Sequence, residues 1–434
     1  MGRGPEAVTA VVMLLMCLTG PSAPVHADSM SPSVIDRTNC DTVKDLLPAS
    51  VLVWVKKGDL TLVLSQLSYE PSWEPAFLAA SEVNAGRYDV DAEGGLIDRS
   101  SGTRPDHTYG LPFAHIDPTD PKAGVQVMWN VSFIFLKAGA LRVPFIFDWI
   151  GRNGFERVVT GQAAAVPFDG QPMAVPNPDR TEQRQLFRAV GPASIEGTAT
   201  LTWRYMDDRP DMVWGYLPAL RRVRQLTAAN RSDPLFGSDL VQDDGLMWAG
   251  KNQSFEWKLV GHQDVLVPTA AVDLVPLVAG PRGPLGQEWK SPAEFPGARL
   301  GWQTPGWNGA PWLPTNMVWV KRPVWVVEGH PKDPYYSYGR QVFYIDTTLY
   351  KIYYKTVFTP SGEYWKTLFN DFGLATTPDG SERQVITAAA IGVDDRADHA
   401  TYANGAEPDA IIEYHSVALT ADQFTVSGLI HFGK

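Results

Sequence analysis

Cysteine is nearly absent from this 434-residue chain: only Cys17 and Cys40 occur. Long apolar runs are scarce as well. The longest, Ala7 to Leu18, follows a single arginine and ends before the small-residue exit Val25-His26-Ala27, the layout of a secretory signal peptide over residues 1–27. It is shorter than the ~20 residues that a membrane helix requires, and no later segment comes closer. The sequence therefore predicts an exported chain starting at Asp28, with Cys40 as its sole cysteine and no internal disulfide. Cys17 lacks the small preceding residue of a lipoprotein signal, since Met16 stands there, so lipid anchoring is not expected. Positive charge is in deficit too: 37 Lys and Arg against 48 Asp and Glu give a net charge of −11. That balance excludes nucleic acid as a partner and argues against an anionic membrane as the main one, while leaving room for local basic patches. No repeat of 20 to 50 residues is visible.

Catalytic signatures are missing in the same way. "GLMWAGKN" (Gly245 to Asn252) has the glycine and lysine of a phosphate loop, but Asn252 replaces the hydroxyl that would hold magnesium. "DDRADH" (Asp394 to His399) reads as a solvated acidic loop, because metal ligands must converge from distant segments. Asp207-Asp208 and Asp243-Asp244 lie beside turns. Neighbouring residues of a strand face opposite ways, so neither pair can act as acid and base on one bond. The eight histidines show no metal spacing. No catalytic residue, metal site or cofactor is assigned, and the chain is not expected to be an enzyme.

What is present is β-structure. One amphipathic helix opens the mature chain over "NCDTVKDLLPASVLVWVKKGD", bent or split by Pro48 and stopped by Gly58. From Leu60 onward short runs punctuated by Gly, Pro, Asn and Asp read as strands: "LTLVLSQL", "VQVMWNVSFIFL", "RVPFIFDWI", "FERVVTGQ", "ATLTWRYMD", "MVWGYLP", "SFEWKLVG" and "DVLVP". "RQVFYIDTTLYKIYYKTVFTPSGEYWKTLFNDF" predicts a three-stranded antiparallel meander, with turns at Asp346-Thr347-Thr348 and Pro360-Ser361-Gly362. Its alternation places Tyr350, Ile352, Tyr354 and Phe358 on a buried face and Lys351 and Lys355 on a wet one. Residues 276–316 are rich in Pro and Gly yet hold Trp289, Trp302, Trp307 and Trp312, which predicts an ordered loop, either a lid over a cavity or a packed flap.

"MVWGYLPALRRVRQL" (Met212 to Leu226) sets three arginines after an aromatic strand. Two readings stand. Arg222 and Arg224, on one face of a strand, could hold an anionic headgroup beside Trp214 and Tyr216, or they could be the polar side of a sheet paired with carboxylates. A turn at Pro218 is needed before Arg221 can join them.

The stretch "VWGYLPALRRVRQLTAANRSDPLFGSDLVQDDGLMWAGKNQSFEWKLVG" and the later "RPVWVVEGHPKDPYYSYGRQVFYIDTTLYKIYYKTVFTPSGEYWK" resemble outer-membrane lipoprotein-sorting-type proteins. The longer layout is similar to an uncharacterised family of exported Gram-negative proteins, specifically over Trp203 to Ala400 and more loosely before Gly191. The resemblance implies a mainly β fold: a large, incompletely closed antiparallel β-barrel or strongly curved sheet, with helices and loops covering its apolar face. Residues 28–190 would add a helix and strands to the same barrel, and 191–434 would form the sorting-like sheet. It further implies a periplasmic carrier or adaptor for a lipid or other hydrophobic ligand, working with a membrane transporter. Candidate ligand-binding residues are Trp214, Tyr216, Arg222, Arg224, Trp302, Trp307, Trp312, Tyr350 and Tyr354. The competing reading is an exported carbohydrate-binding or carbohydrate-active protein, drawn from fifteen tryptophans of which eleven follow residue 200.

Overall fold

The structure, a computed structural model, describes residues 33–226, 231–293, 297–404 and 411–433. The signal segment 1–27, with Cys17, lies outside the described residues. Among those described, no helix is long and apolar enough to cross a membrane.

Thirteen strands form the body of one sheet. In chain order they are β1 (Leu141–Gly151), β2 (Gly154–Pro167), β3 (Thr181–Gly191), β4 (Ala199–Tyr205), β5 (Met212–Leu217), β6 (Arg222–Leu226), β7 (Phe255–Thr269), β8 (Val318–Pro331), β9 (Gln341–Asp346), β10 (Ile352–Phe358), β11 (Tyr364–Asn370), β12 (Ala390–Asp394) and β13 (His399–Asn404). Their order in space is β7-β8-β9-β10-β11-β12-β13-β1-β2-β3-β4-β5-β6, antiparallel at every step. Two meanders thus meet at one seam, where Ile150 of β1 lies opposite Ala400 of β13. The sheet does not close: among the described residues β6 and β7 are its free edges.

The predicted meander over 341–370 forms as expected, because its two turn sequences fix the strand ends. The opening helix is split as expected. A 3-10 turn over Cys40–Leu46 precedes α1 (Ala49–Lys57), and Gly58 closes it in the left-handed conformation at φ 79°. One strand assignment is overturned. "VQVMWNVSFIFL" lies within α3 (Ala123–Lys137), a 15-residue helix. Eleven of its residues are buried, so no polar face marks the helical period and the run imitates a buried strand. Two further helices, α2 (Pro75–Asn84) and α4 (Val426–Phe432), complete the covering layers.

The expected wet face of the meander is also overturned. Lys355 is wholly buried because residues 231–254 run as a strap across that face, and Lys351 is half-buried where its ammonium donates to the Thr387 hydroxyl at 2.7 Å. Register places Phe343, Lys355, Leu368, Gly392, Thr401 and Trp149 in one row. The strap meets this row in sequence: Asp244 bonds Lys355, Leu240 lies over Gly392, Asp239 accepts from Thr401, and the Gly237 carbonyl accepts from Trp149.

The strap also shows why the sheet must curve. Asp244 is bound to β10, yet the Ala249 carbonyl accepts from Arg204 of β4 at 2.7 Å. On a flat sheet those strands, seven neighbours apart, would be roughly 34 Å from each other. Five residues of chain span at most about 17 Å. The sheet therefore curls around the strap.

One large core joins Trp54 of α1, Phe77 of α2 and Met128 of α3 to Trp319, Tyr354 and Phe369 of the sheet. The tryptophan-rich loop feeds the same core through Leu300, Ala310, Trp312 and Leu313, which makes it a packed flap. On the other face of β3–β5, α4 and the turn before it cover Leu186, Leu201 and Tyr216 with Leu429 and Phe424.

Candidate functional site

A 3-10 turn over Gln242–Met247 turns Asp243 and Asp244 inward, and both are buried. On a turn, unlike a strand, adjacent side chains can serve one interior, so the strand rule that sends neighbouring carboxylates to opposite faces does not hold for this pair. Asp244 accepts from Lys355 and from the Tyr338 hydroxyl, each at 2.7 Å. Asp243 accepts from Arg231 at 2.5 Å and from the Tyr336 hydroxyl at 2.9 Å.

Arg231 in turn reaches Asp211 at 3.2 Å and the Ala249 carbonyl, so each of its three nitrogens has a partner. Arg204 clamps Asp211 from the other side at 2.8 Å and bonds the Gly250 carbonyl at 3.1 Å. Burial pushes the Asp211 carboxyl up, but Arg204 and Arg231 outweigh it and hold the group below the usual carboxylate range. Burial, then the charges of Asp243 and Asp244, drive the Tyr336 phenol far upward, so it remains a donor. The cluster is a fixed ionic scaffold.

Against this scaffold lies a pocket of about 130 Å³, lined by Pro210, Asp211, Arg231, Asp243, Lys251, Ser254, Phe255, Pro331, Asp333 and Tyr336. The surface it exposes is mostly apolar, although Asp211, Arg231, Asp243, Lys251 and Asp333 all border it. Lys251 is the distinctive member. Its ammonium donates to the carbonyl oxygens of Asp207 and of Arg209, the latter at 2.7 Å, and among the described residues its third proton has no partner. Burial lowers its pKa, opposed by Asp211. Lys251 also borders a second, far smaller void of about 10 Å³ with Trp129, Glu182 and Arg204.

Lys251 belongs to the "GLMWAGKN" segment. That segment is no phosphate cradle, since the Ala249 and Gly250 carbonyls, not their N–H groups, face the interior and are taken by Arg204. The pocket can therefore offer one cationic donor, set in an apolar wall, to an acceptor oxygen. Ser254 on the same wall has no hydrogen-bonded base among the described residues.

The sequence-predicted residues lie elsewhere and are not brought together. Tyr216 pairs with Val223 and Trp214 with Gln225, whereas Arg222 pairs with Leu217 and Arg224 with Gly215. The aromatic pair and the arginine pair thus occupy opposite faces of the β5–β6 hairpin. Tyr216 is buried under α4, Trp214 packs edge-on to Trp203 at 5.5 Å, and both arginines are exposed. The turn at Pro218 is present as a 3-10 segment over Pro218–Leu220.

In the flap, Trp302 is 40% exposed and stacks against Phe155 at 5.3 Å. Trp307 is half-buried and donates to the Ala310 carbonyl at 3.0 Å, and Trp312 is buried beneath the Arg152 guanidinium. Tyr350 and Tyr354 are core residues, the latter donating to the Leu266 carbonyl at 2.5 Å. Of "DDRADH", Asp394 accepts from Trp365 at 2.7 Å, Asp395 from Trp54 at 2.8 Å, and His399 contacts Asp239. Among the described residues no cluster of His, Cys, Asp and Glu could hold a metal ion.

Sequence reading missed Arg204, Asp211, Arg231 and Tyr336. The available signal was charge inside apolar strands, as in "LTWRYMDDRPDMV", where a wet face is the ordinary reading.

No curated protein matches the chain. Among solved structures, a DUF1329 family protein from Desulfovibrio piger is 16% identical, with 72% of this chain and 100% of that chain covered and a TM-score of 0.47. A domain from Vibrio parahaemolyticus, described as an outer membrane lipoprotein-sorting protein domain, is 15% identical over 72% of this chain and 100% of its own, with a TM-score of 0.46. A LolA superfamily protein from Nitrosomonas europaea is 11% identical over 68% of this chain and 97% of its own, at 0.39. At these scores none of them bears on what this chain binds. The sequence profile of one family, however, matches residues 34–429, nearly the whole described chain, and the protein therefore belongs to DUF1329, a family described as of unknown function.

Proposed function

We propose that the protein is an exported carrier or adaptor that binds a hydrophobic or amphiphilic ligand in the periplasm, beside an envelope transport system, and takes the ligand's polar end into the pocket under the strap. The observation that carries this reading is Lys251: a half-buried ammonium with one proton unpartnered among the described residues, at a mostly apolar pocket. Small-molecule sites combine an apolar wall with a few converging polar groups in this way.

A volume of about 130 Å³ admits an end group. Whole drug-sized ligands need roughly 300–1,000 Å³, so the remainder of the ligand must extend past the mouth.

Solvent extraction of the purified native protein followed by mass spectrometry identifies the cargo, and a fluorescent acyl probe reports its site. Ser254 is exposed at the mouth, so Ser254→Trp closes the pocket without disturbing the core. The expected result is a co-purified amphiphile and a probe affinity that drops in Ser254→Trp. An empty extract together with probe binding that ignores the substitution would sink the proposal.

A further inference from the structure

We propose that the β5–β6 hairpin docks the protein on an anionic phospholipid surface, independently of the pocket reading. Leu217, Leu220 and Leu226 on this hairpin are 42%, 52% and 45% exposed. Arg221, Arg222 and Arg224 are exposed between them, and among the described residues none has an ion-pair partner. Among the described residues the buried arginines, such as Arg204, Arg231 and Arg322, are matched to carboxylates, whereas several exposed ones, Arg37 and Arg282 among them, are not. What sets the hairpin apart is that three such arginines fall within four residues and are interleaved with exposed leucines, in a chain with 48 acidic residues.

Register makes the patch continuous. Leu217 lies directly opposite Arg222, so the two share a face, and Arg224 shares it opposite Gly215. A side chain at Gly215 would meet the Leu226 Cδ1 atom at 3.2 Å, so the glycine lets Leu226 fold down beside the arginines. At the tip, Pro218–Leu220 and the left-handed Arg221 (φ 49°) project Leu220 and Arg221 beyond the strand ends. β6 is a free edge of the sheet, and no described strand lies beyond it.

Leucines alternating with arginines fit a lipid interface, where apolar side chains enter the acyl boundary and guanidinium groups bend back to the phosphates. With a net charge of −11 an anionic surface repels the body as a whole, so contact is favoured through a basic patch such as this tip. An acidic protein partner would use the arginines but would leave the three leucines unexplained.

Co-sedimentation of the full mature chain with vesicles tests this. The wild type is expected to pellet with phosphatidylcholine vesicles containing phosphatidylglycerol, to stay in solution with phosphatidylcholine alone, and to be released by salt. Arg222→Ala with Arg224→Ala lowers partitioning by about 25-fold, at about fivefold for each arginine near an anionic surface. Leu217→Ser with Leu220→Ser also lowers it. A charge-matched control at exposed sites remote in sequence, Lys44→Ala with Arg282→Ala, pellets like the wild type. Ser254→Trp pellets like the wild type too, which separates this surface from the pocket. The proposal falls if the wild type ignores anionic vesicles, which would leave the patch to an acidic protein, or if the arginine pair and the control behave alike.

Discussion

The Nζ of Lys355 lies 2.7 Å from the Asp244 Oδ1, and both side chains are shut off from solvent. The pair fastens the strap to the centre of β10. Rings of Trp248, Tyr338 and Phe343 surround the ammonium at 5.2 to 5.6 Å, so no water can replace the carboxylate. Lys355→Met removes one charge and strands the other, which costs about 3–5 kcal/mol for a buried pair. Urea unfolding checks the figure, and a loss under about 1 kcal/mol would show that the strap is held by other contacts.

Gly124 is the point at which α3 meets the edge strand β7. A methyl group there would lie 2.8 Å from the backbone nitrogens of Lys258 and Leu259. Backbone cannot swing aside as a side chain can, so Gly124→Ala is expected to destabilise by about 1–3 kcal/mol despite the better helix propensity of alanine. A melting temperature equal to or above that of the wild type would contradict the close approach.

Tyr354 was a candidate ligand contact by sequence, and its hydroxyl is spent on the Leu266 carbonyl. Tyr354→Phe leaves that buried carbonyl without its donor, at a cost of about 1–3 kcal/mol. Acyl-probe affinity is expected to stay unchanged. A variant that keeps its stability but loses the probe would return Tyr354 to the binding site.

His399 joins the sheet to the strap through Asp239 at 2.6 Å and to Glu156 at 3.4 Å. The hydrogen bond to Asp239, opposed by burial and supported by the charges of Asp239 and Glu156, holds its pKa above the ordinary 6.5. A raised value in the folded state means stability that is complete below the unfolded pKa and lost as pH climbs through the folded one. The wild type is therefore expected to exceed His399→Gln in stability most at about pH 5–6, and least at about pH 8 and above. Asp371, driven by burial up to about 7, adds a slope of the same sign that cancels in the comparison. A stability gap that does not vary with pH would remove the ionic role of His399.

Local rules explain which parts of this architecture can be read from the chain. The meander of β9, β10 and β11 is legible because Asp346-Thr347-Thr348 and Pro360-Ser361-Gly362 punctuate it, and the split opening helix because Pro48 cannot donate. Alternation also identified the face of Lys355 correctly as a face. It could not reveal that Asp244, 111 residues earlier, would cover it. The pocket shares that origin. Pro210, Lys251, Phe255 and Pro331 meet only because the strap crosses the sheet, and no spacing within any one segment carries their proximity. α3 was hidden for the opposite reason, since full burial erases the period that distinguishes a helix from a strand.

The seam between the two meanders sets an order on assembly. β1 finds its neighbour β13 only when residues 399–404 are present, some 250 positions after residues 146–151. As the chain emerges, "RVPFIFDWIG" must wait as an open template rich in aromatic and β-branched residues, the kind of edge that recruits other chains. Closure of such a distant pairing is slow, so the risk of mispairing is concentrated in this one interval. A holding chaperone that shields β1 until β13 arrives would raise the yield of refolding more than one that protects either meander alone.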